Sequence, residues 1–296
     1  MSEFIAACET LHEEKITRIA QAIAEKSNDT RILMIAGPSC SGKTTFAKRL
    51  STHLTVNGLK PCTISVDDYF VGEEQNPLDE HGKPDYEHIE AVDIDLFNDD
   101  LLKLIHGDEI DLPSFNFIAK QREYAGEKMR LESDQVLIIE GIHCLNPRLT
   151  EAVPDKNKFR IYISALTQLN LDTNNRISTT DNRLMRRMIR DHLFRGHSAL
   201  ETLRLWPNVR KGEKKWIFPF QGQADLTFNS ALDYELAVLK PLVEPLLMEI
   251  KPMHKVYSIS RRLTEFLLNF RAASMQPVPA DSILREYIGG SSYDYR

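Results

Sequence analysis

No apolar stretch in this 296-residue chain approaches the roughly 18 residues needed to cross a bilayer, and the start, MSEFIAACETLHEEK, lacks a basic n-region followed by an apolar core. A membrane span and a secretory leader are both excluded, which leaves the cytoplasm as the expected location. Cysteine is scarce too. Cys8, Cys40, Cys62 and Cys144 stand far apart with no CxxC pair, so neither a disulfide framework nor a zinc site is expected, and reduced, mostly buried thiols are. There is no internal repeat and no block of one charge long enough to prevent collapse. With 42% hydrophobic and 27% charged residues, the chain can bury one large core.

The net charge of -6 is unevenly spread. Acids dominate residues 67–111, whereas residues 176–215 carry Arg183, Arg186, Arg187, Arg190, Arg195, Arg204, Arg210 and Lys211. A nucleic-acid platform would interleave aromatics with such cations and none does here, so nucleic acid is not an expected partner. Arg183, Arg187 and Arg190 share one helical stripe, the arrangement of a lid over an anion.

What is present is a phosphate loop. Residues 37–44 read GPSCSGKT directly after the apolar run 32–36 and before a helical pattern starting at Lys43. Backbone N–H groups of Gly37, Ser39, Cys40, Ser41 and Gly42 would cradle a polyphosphate. Lys43 would reach the β and γ phosphates, Thr44 would meet Mg²⁺, and Thr45 follows in the helix whose positive dipole end faces the anion. ATP and Mg²⁺ are therefore the expected ligands.

A helical pattern over residues 9–26 ends at Ser27-Asn28-Asp29. Short β-rich runs follow at 32–36, 62–66, 136–139, 159–163 and 255–259, separated by helical patterns. Strands alternating with helices predict an α/β three-layer sandwich with a mostly parallel five-stranded sheet and a helical lid. Ligands bind beyond the carboxyl ends of such strands. There the second run ends in Asp67-Asp68 and the third in Glu140-Gly141. An NKxD motif is missing, and Glu140-Gly141 stands where a hydrolytic ATPase would carry Asp-Glu. Asp67 suits a base that orients and deprotonates an acceptor hydroxyl, with Asp68 as an alternative. Residues 71–92 are expected to form an exposed loop, 232–250 and 260–270 closing helices, and the aromatic tail to pack loosely, with docking near the site or on a second subunit as the alternative. Trp206 and Trp216 are expected to pack under the lid.

With these residues in place, the chain resembles the uridine kinase and phosphoribulokinase family of P-loop kinases over roughly residues 30 to 245. Four blocks match in order: GPSCSGKTT, ISVDDYF, IIEGIH and RLMRRMIRDHLFRG. The resemblance implies an ATP-dependent kinase with Asp67 as general base, Lys43 and Thr44 on phosphate and Mg²⁺, Glu140 near the metal, and Arg187 and Arg190 as lid contacts. It implies a domain plan as well: an N-terminal helix at 1–29, a kinase domain at 30–259 with a lid around 176–215, and a C-terminal helix and tail at 260–296. The chain is also similar to a bacterial subgroup whose members often carry an N-terminal TGS portion, so a stand-alone form is implied; homo-oligomers are suggested by the resemblance alone.

The departures lie where an acceptor would be read. The family's YDFxxHxR block appears as FNFIAKQR, placing Phe115, Asn116 and Lys120 where tyrosine, aspartate and histidine are usual and keeping Arg122. The family's ribose-binding aspartate falls on Glu87, two residues after Asp85. Asp67, Asp85, Glu87, Phe115, Lys120, Arg122 and Arg183 are thus the expected acceptor-side residues. Lys120 raises the alternative of a phosphorylated-sugar or pantothenate-like acceptor. A nucleotide-binding regulator with no acceptor is the remaining alternative.

Overall fold

The computed structural model describes residues 1–26, 30–117 and 119–295; the helix-ending Ser27-Asn28-Asp29 lies outside the described residues. Five parallel strands form the central sheet: β1 (Ile32–Ala36), β2 (Lys60–Ser65), β3 (Gln135–Gly141), β4 (Lys158–Ser164) and β5 (Leu226–Asn229), in the order β2-β3-β1-β4-β5. All of β1 and nearly all of β3 are buried, as their unbroken Ile, Leu and Val runs require of strands covered on both faces. The register sets Ala36 beside Gly141 and Ser65 beside Glu140. Three strands therefore end at one level, and the residues after them share one edge.

Two layers cover the sheet. One apolar cluster joins β1 and β4 residues to α1 (Ser2–Glu25), α2 (Lys43–Val56), α4 (Thr179–Phe194), α5 (Ala199–Trp216), α6 (Glu235–Met248), α7 (Tyr257–Leu267) and the C-terminal segment around α8 (Arg285–Ile288). The other lies under α3 (Ile94–His106), the turn after β2 and two short antiparallel ribbons, 109–111 with 128–130 and 114–116 with 121–123. Local signals mark the helix ends. Asp93 accepts the Leu96 N–H at the start of α3, Gly107 closes it in the left-handed region, and Ser198 and Glu201 form a capping box on α5.

Four expectations need correction. Residues 255–259 form no strand, because Val256, Ser260, Leu263 and Leu267 fall on one buried helical face, and the β-branched run opens α7. The fifth strand is Leu226–Asn229, an edge strand with only Phe228 buried, too short and too polar to register as apolar alternation. The loop of residues 71–92 is exposed only in part, since Asn76, Ile89, Ala91 and Val92 are buried. Nor does the tail pack loosely: Ile283, Leu284 and Tyr287 are fully buried. Cys40 and Cys144 are buried, Cys8 and Cys62 are half-buried, and all four thiols are free.

Across the layers run two buried ion pairs. Arg186 donates from Nε to Glu235 at 2.7 Å, and Arg183 makes a two-pronged pair with Glu213. All four side chains are almost wholly removed from water. Deleting one partner leaves an uncompensated buried charge, at a typical cost of about 3–5 kcal/mol. Glu235→Ala should lower the urea unfolding free energy by about that amount, and the double variant Glu235→Ala with Arg186→Met should recover much of it; a single variant within 1 kcal/mol, on the order of one exposed pair, would show the pair to be solvated.

Candidate active site

The loop 37–44 wraps the start of α2 with Cys40 at φ 59° and Gly42 at φ 85°. A side chain on Gly37 would run into the Ile163 carbonyl, so glycine is needed for that close approach. The back of the loop is held by α4 and by the residue after β5: Arg183 donates to the Ser39 carbonyl at 2.9 Å, Arg186 to the Cys40 carbonyl at 3.3 Å, and Ser230 to the Ser41 carbonyl at 2.5 Å. The carbonyls are tied from behind, and within the loop the Ser41 N–H donates to the Pro38 carbonyl at 3.1 Å. Arg187 donates to Ser39 Oγ at 3.0 Å and to Asp191. Arg190 and Arg195 stand nearby, and the repulsion of Arg190, with burial and Arg187, holds Arg195 below its usual basicity despite Asp191. Arg190 Nε and Ser41 Oγ are buried without a hydrogen-bond partner. Crowded cations and orphaned polar atoms around a glycine cradle fit a polyphosphate.

Opposite Lys43 sit carboxylates. Glu140 accepts hydrogen bonds from Thr44 at 3.3 Å and Ser65 at 3.2 Å. Burial pushes its carboxyl up to about 7 against the pull of Lys43, with Asp67 and Glu286 adding repulsion. Asp67 lies in the turn Val66–Tyr69, and burial raises it too, opposed by Lys43, Arg195 and Arg190. Among the described residues no three His, Cys, Asp or Glu side chains cluster as a metal cage. That arrangement still suits Mg²⁺, which commonly takes one or two carboxylates, a hydroxyl and phosphate oxygens.

The structure brings Glu87 to the same side. It packs on Gly212 so closely that a side chain there would overlap it, its Oε2 is sealed without a partner, and burial raises it to about 7, with Arg187 opposing and Glu213 and Asp85 reinforcing. Asp85 caps the turn by accepting the Glu87 N–H at 3.1 Å. Phe115 is buried edge-on to Phe70, 5.5 Å between centroids, and donates its N–H to Asp68. Lys120 adopts φ 55° and pairs with Glu73 at 2.5 Å on an exposed face, while Arg122 pairs with Asp93 at 2.9 Å. Asn116 closes its own ribbon through Glu123 and Ala119. Arg183 supports the loop from behind, engaged by the Ser39 carbonyl and Glu213. Trp206 is buried against the Arg183 guanidinium, 5.5 Å away, and Trp216 packs on His88.

Sequence reasoning missed Glu213, Glu235, Glu286 and Tyr295. The first two are the counter-charges of the loop-holding arginines. The last two meet Thr45: its hydroxyl donates to Glu286 at 2.7 Å and lies 2.9 Å from the Tyr295 hydroxyl. Their distance in sequence hides them, although three carboxylates on helical faces facing an arginine-rich helix are a usable signal.

A parallel sheet in this order with a phosphate loop after its first strand, carboxylates after the next two and an arginine-rich helix closing over them defines an α/β P-loop kinase. Residues 32–237 match the model of the Phosphoribulokinase / Uridine kinase family, and the chain belongs to that family. It is similar to the uridine kinase of Staphylococcus carnosus (28% identity over 212 residues, 71% of this chain and 92% of the relative). Similarity to the uridine kinase of Bacillus cereus strain B4264 reaches 30% over 202 residues, 68% of this chain and 85% of the relative. A solved structure described as a possible uridine kinase from Bacillus stearothermophilus shares the fold, with a TM-score of 0.51 at 18% identity over 73% of this chain and 98% of that one. The chain is an ATP-dependent kinase that phosphorylates a hydroxyl group. No helix among the described residues is long and apolar enough to cross a membrane.

Glu87 provides a pH test. Its folded carboxyl keeps its proton up to about pH 7, whereas the unfolded one releases it near 4.5. The native state binds the extra proton in that window, so this group's stabilisation is complete below about 4.5 and is lost as pH rises through about 7. The melting temperature of wild type relative to Glu87→Gln should fall steadily across that range; a flat difference would show a freely ionised Glu87.

Proposed function

We propose that the chain transfers the γ-phosphoryl group of ATP to a hydroxyl of a nucleoside-like acceptor. The observation that carries this is the placement of Asp67: it follows β2 at the carboxyl edge of the sheet, is favoured in its charged form by Lys43, and lies near enough to Glu140 to repel it. In this reading Asp67 orients the acceptor hydroxyl and takes its proton, and its raised basicity suits that task. Lys43, Arg187 and Arg190 balance charge on the phosphates. Thr44 and Glu140 would hold Mg²⁺, which supplies charge neutralisation between the phosphates when bound. The hairpin of α4 and α5, within residues 176–215, serves as the lid that excludes water. Residues 30–259 are taken as the kinase unit, flanked by the N-terminal helix and the C-terminal tail, working in the cytoplasm.

The acceptor is read as uncharged. Lys120 and Arg122, the two cations expected to read an anionic acceptor, are engaged by Glu73 and Asp93. Phe115 and Phe70 offer an apolar wall, and Glu87 and Asp85 offer oxygen acceptors for ribose-like hydroxyls. A phosphorylated-sugar or pantothenate-like acceptor would need those ion pairs to open, and a regulator without an acceptor leaves the half-buried Asp67 at the strand end unexplained. The names of the relatives, uridine kinases, support the nucleoside reading.

Purified protein should consume ATP when nucleosides are added, and pantothenate or sugar phosphates should leave the rate at background. Asp67→Asn should lower kcat by roughly 10²–10⁴ while nucleotide affinity stays within a few-fold. Stimulation by anionic acceptors alone, or an active Asp67→Asn enzyme, would overturn this assignment. Lys120→Ala should leave the acceptor profile unaltered, as expected of a cation spent on Glu73.

A further inference from the structure

The C-terminal segment sits on the phosphate loop. It is anchored at one end by Ser282, which donates to Glu9 of α1 at 2.6 Å beside the Tyr234 hydroxyl, and at the turn by Arg285, whose guanidinium donates to the carbonyls of Met275, Val278 and Gly289. From the segment so anchored three groups reach the loop and the start of α2. Ile283 Cγ2 stands 2.5 Å from where a side chain on Gly42 would begin, filling the space that glycine leaves open, with the Tyr287 hydroxyl at 3.6 Å. Glu286 accepts from Thr45 Oγ1 at 2.7 Å and lies 3.8 Å from Arg190 Nη1. Tyr295 closes over Thr45 at 2.9 Å. Arg186 and the Tyr287 ring stack at 5.1 Å, and Phe194 of α4 approaches Gly289.

Of the features engaged here, Thr45 and Arg190 belong to the expected anion site, whereas Arg186, which stacks on Tyr287, holds the loop from behind. Gly42 holds φ 85°, a conformation that favours glycine, and an isoleucine methyl fills the space where a side chain would begin. Thr45, in the first turn of α2, and Arg190 of the lid meet a carboxylate. That carboxylate satisfies the site only in part: it supports the charges of Arg190 and Arg186, yet the ion pair with Arg190 is long, Arg190 Nε keeps no partner, and Glu286 adds repulsion on Glu140. A single carboxylate charge stands in a pocket with cations for several, so a polyphosphate offers more complementary charge.

We propose that residues 282–295 are an internal occupant of the donor-phosphate site, with Glu286 and Ile283 standing where phosphates bind, so that nucleotide and tail compete for the loop. The inference rests on the reading of residues 37–45 as the ATP site. The tail acts as a built-in competitor: the apparent nucleotide affinity is the intrinsic affinity reduced by the fraction of chains with the tail released.

The test uses the full chain and a non-hydrolysable ATP analogue with Mg²⁺, followed by calorimetry and by hydrogen exchange of residues 283–295. Ile283→Ala alters no charge and should tighten binding by about tenfold or more; Glu286→Gln should do likewise. Saturating analogue should speed exchange across the tail of wild type. Because loss of a negative charge attracts anions without any movement, the exchange result decides for Glu286→Gln, and it also stands alone if Ile283→Ala does not fold. Unchanged or weaker binding in Ile283→Ala, or a tail that nucleotide protects, would overturn the inference and make the segment a fixed wall of the site. Lys43→Ala separates the two levels: if it abolishes binding seen in wild type, the ATP-site reading stands whatever the tail does, whereas no binding in any variant removes both.

Discussion

Everything at the carboxyl edge of the sheet depends on how the carbonyls of the phosphate loop are held. A loop that turns its N–H groups inward must turn carbonyls outward, and buried carbonyls need donors. Arg183 and Arg186 of α4 supply them to Ser39 and Cys40. Each guanidinium is itself buried and needs a counter-charge, which Glu213 on α5 and Glu235 at the start of α6 provide. The loop is thereby coupled to three helices through two charge pairs. Any tilt of α4 would strain both pairs and move the loop carbonyls, so the hairpin that carries Arg187 and Arg190 is tied to the loop it faces.

The opposite wall is built on a different balance. Asp67, Glu140 and Glu87 converge near a single lysine, and burial, more than their mutual repulsion, raises all three. Strand register accounts for two of them, since Ser65 lies beside Glu140 and Asp67 follows two residues on. Glu87 arrives from a loop pressed against Gly212 of α5, so this side too leans on the α4–α5 hairpin. Acids on one side of Lys43 and arginines at the loop make the carboxyl edge of the sheet electrostatically polarised.

Around this cleft the N-terminal helix and the C-terminal segment are parts of the core. Ile5, Ile16 and Ile23 of α1 and Ile283, Leu284 and Ile288 of the tail belong to one apolar cluster with β1 and β4. Glu9 joins the two ends by accepting from Tyr234 and Ser282. The chain termini thus meet over α2, the helix that begins at Lys43, and the tail's hold on Thr45 follows from that meeting.

Much of the fold was legible in the sequence, and the division has a physical cause. The phosphate loop, four of the five strands, the strand-end Asp67 and Glu140, and the family itself are encoded by patterns a few residues long, because strand burial, glycine at a tight turn and helix start signals act locally. The fifth strand was not: Leu226–Asn229 has one buried side chain and exists because β4 offers it an edge. Roles of like residues were not legible either. Nothing local distinguishes Arg183 and Arg186, buried behind the loop, from Arg187 and Arg190, which face it; partners 30 to 49 residues away, Glu213 and Glu235, make the difference. Lys120 became an exposed surface pair with Glu73, and Thr45 acquired a partner 241 residues on. Local chemistry determined which ligand class the chain could hold, and only tertiary packing, which brings charges together across long stretches of sequence, decided which side chains were left free to hold it.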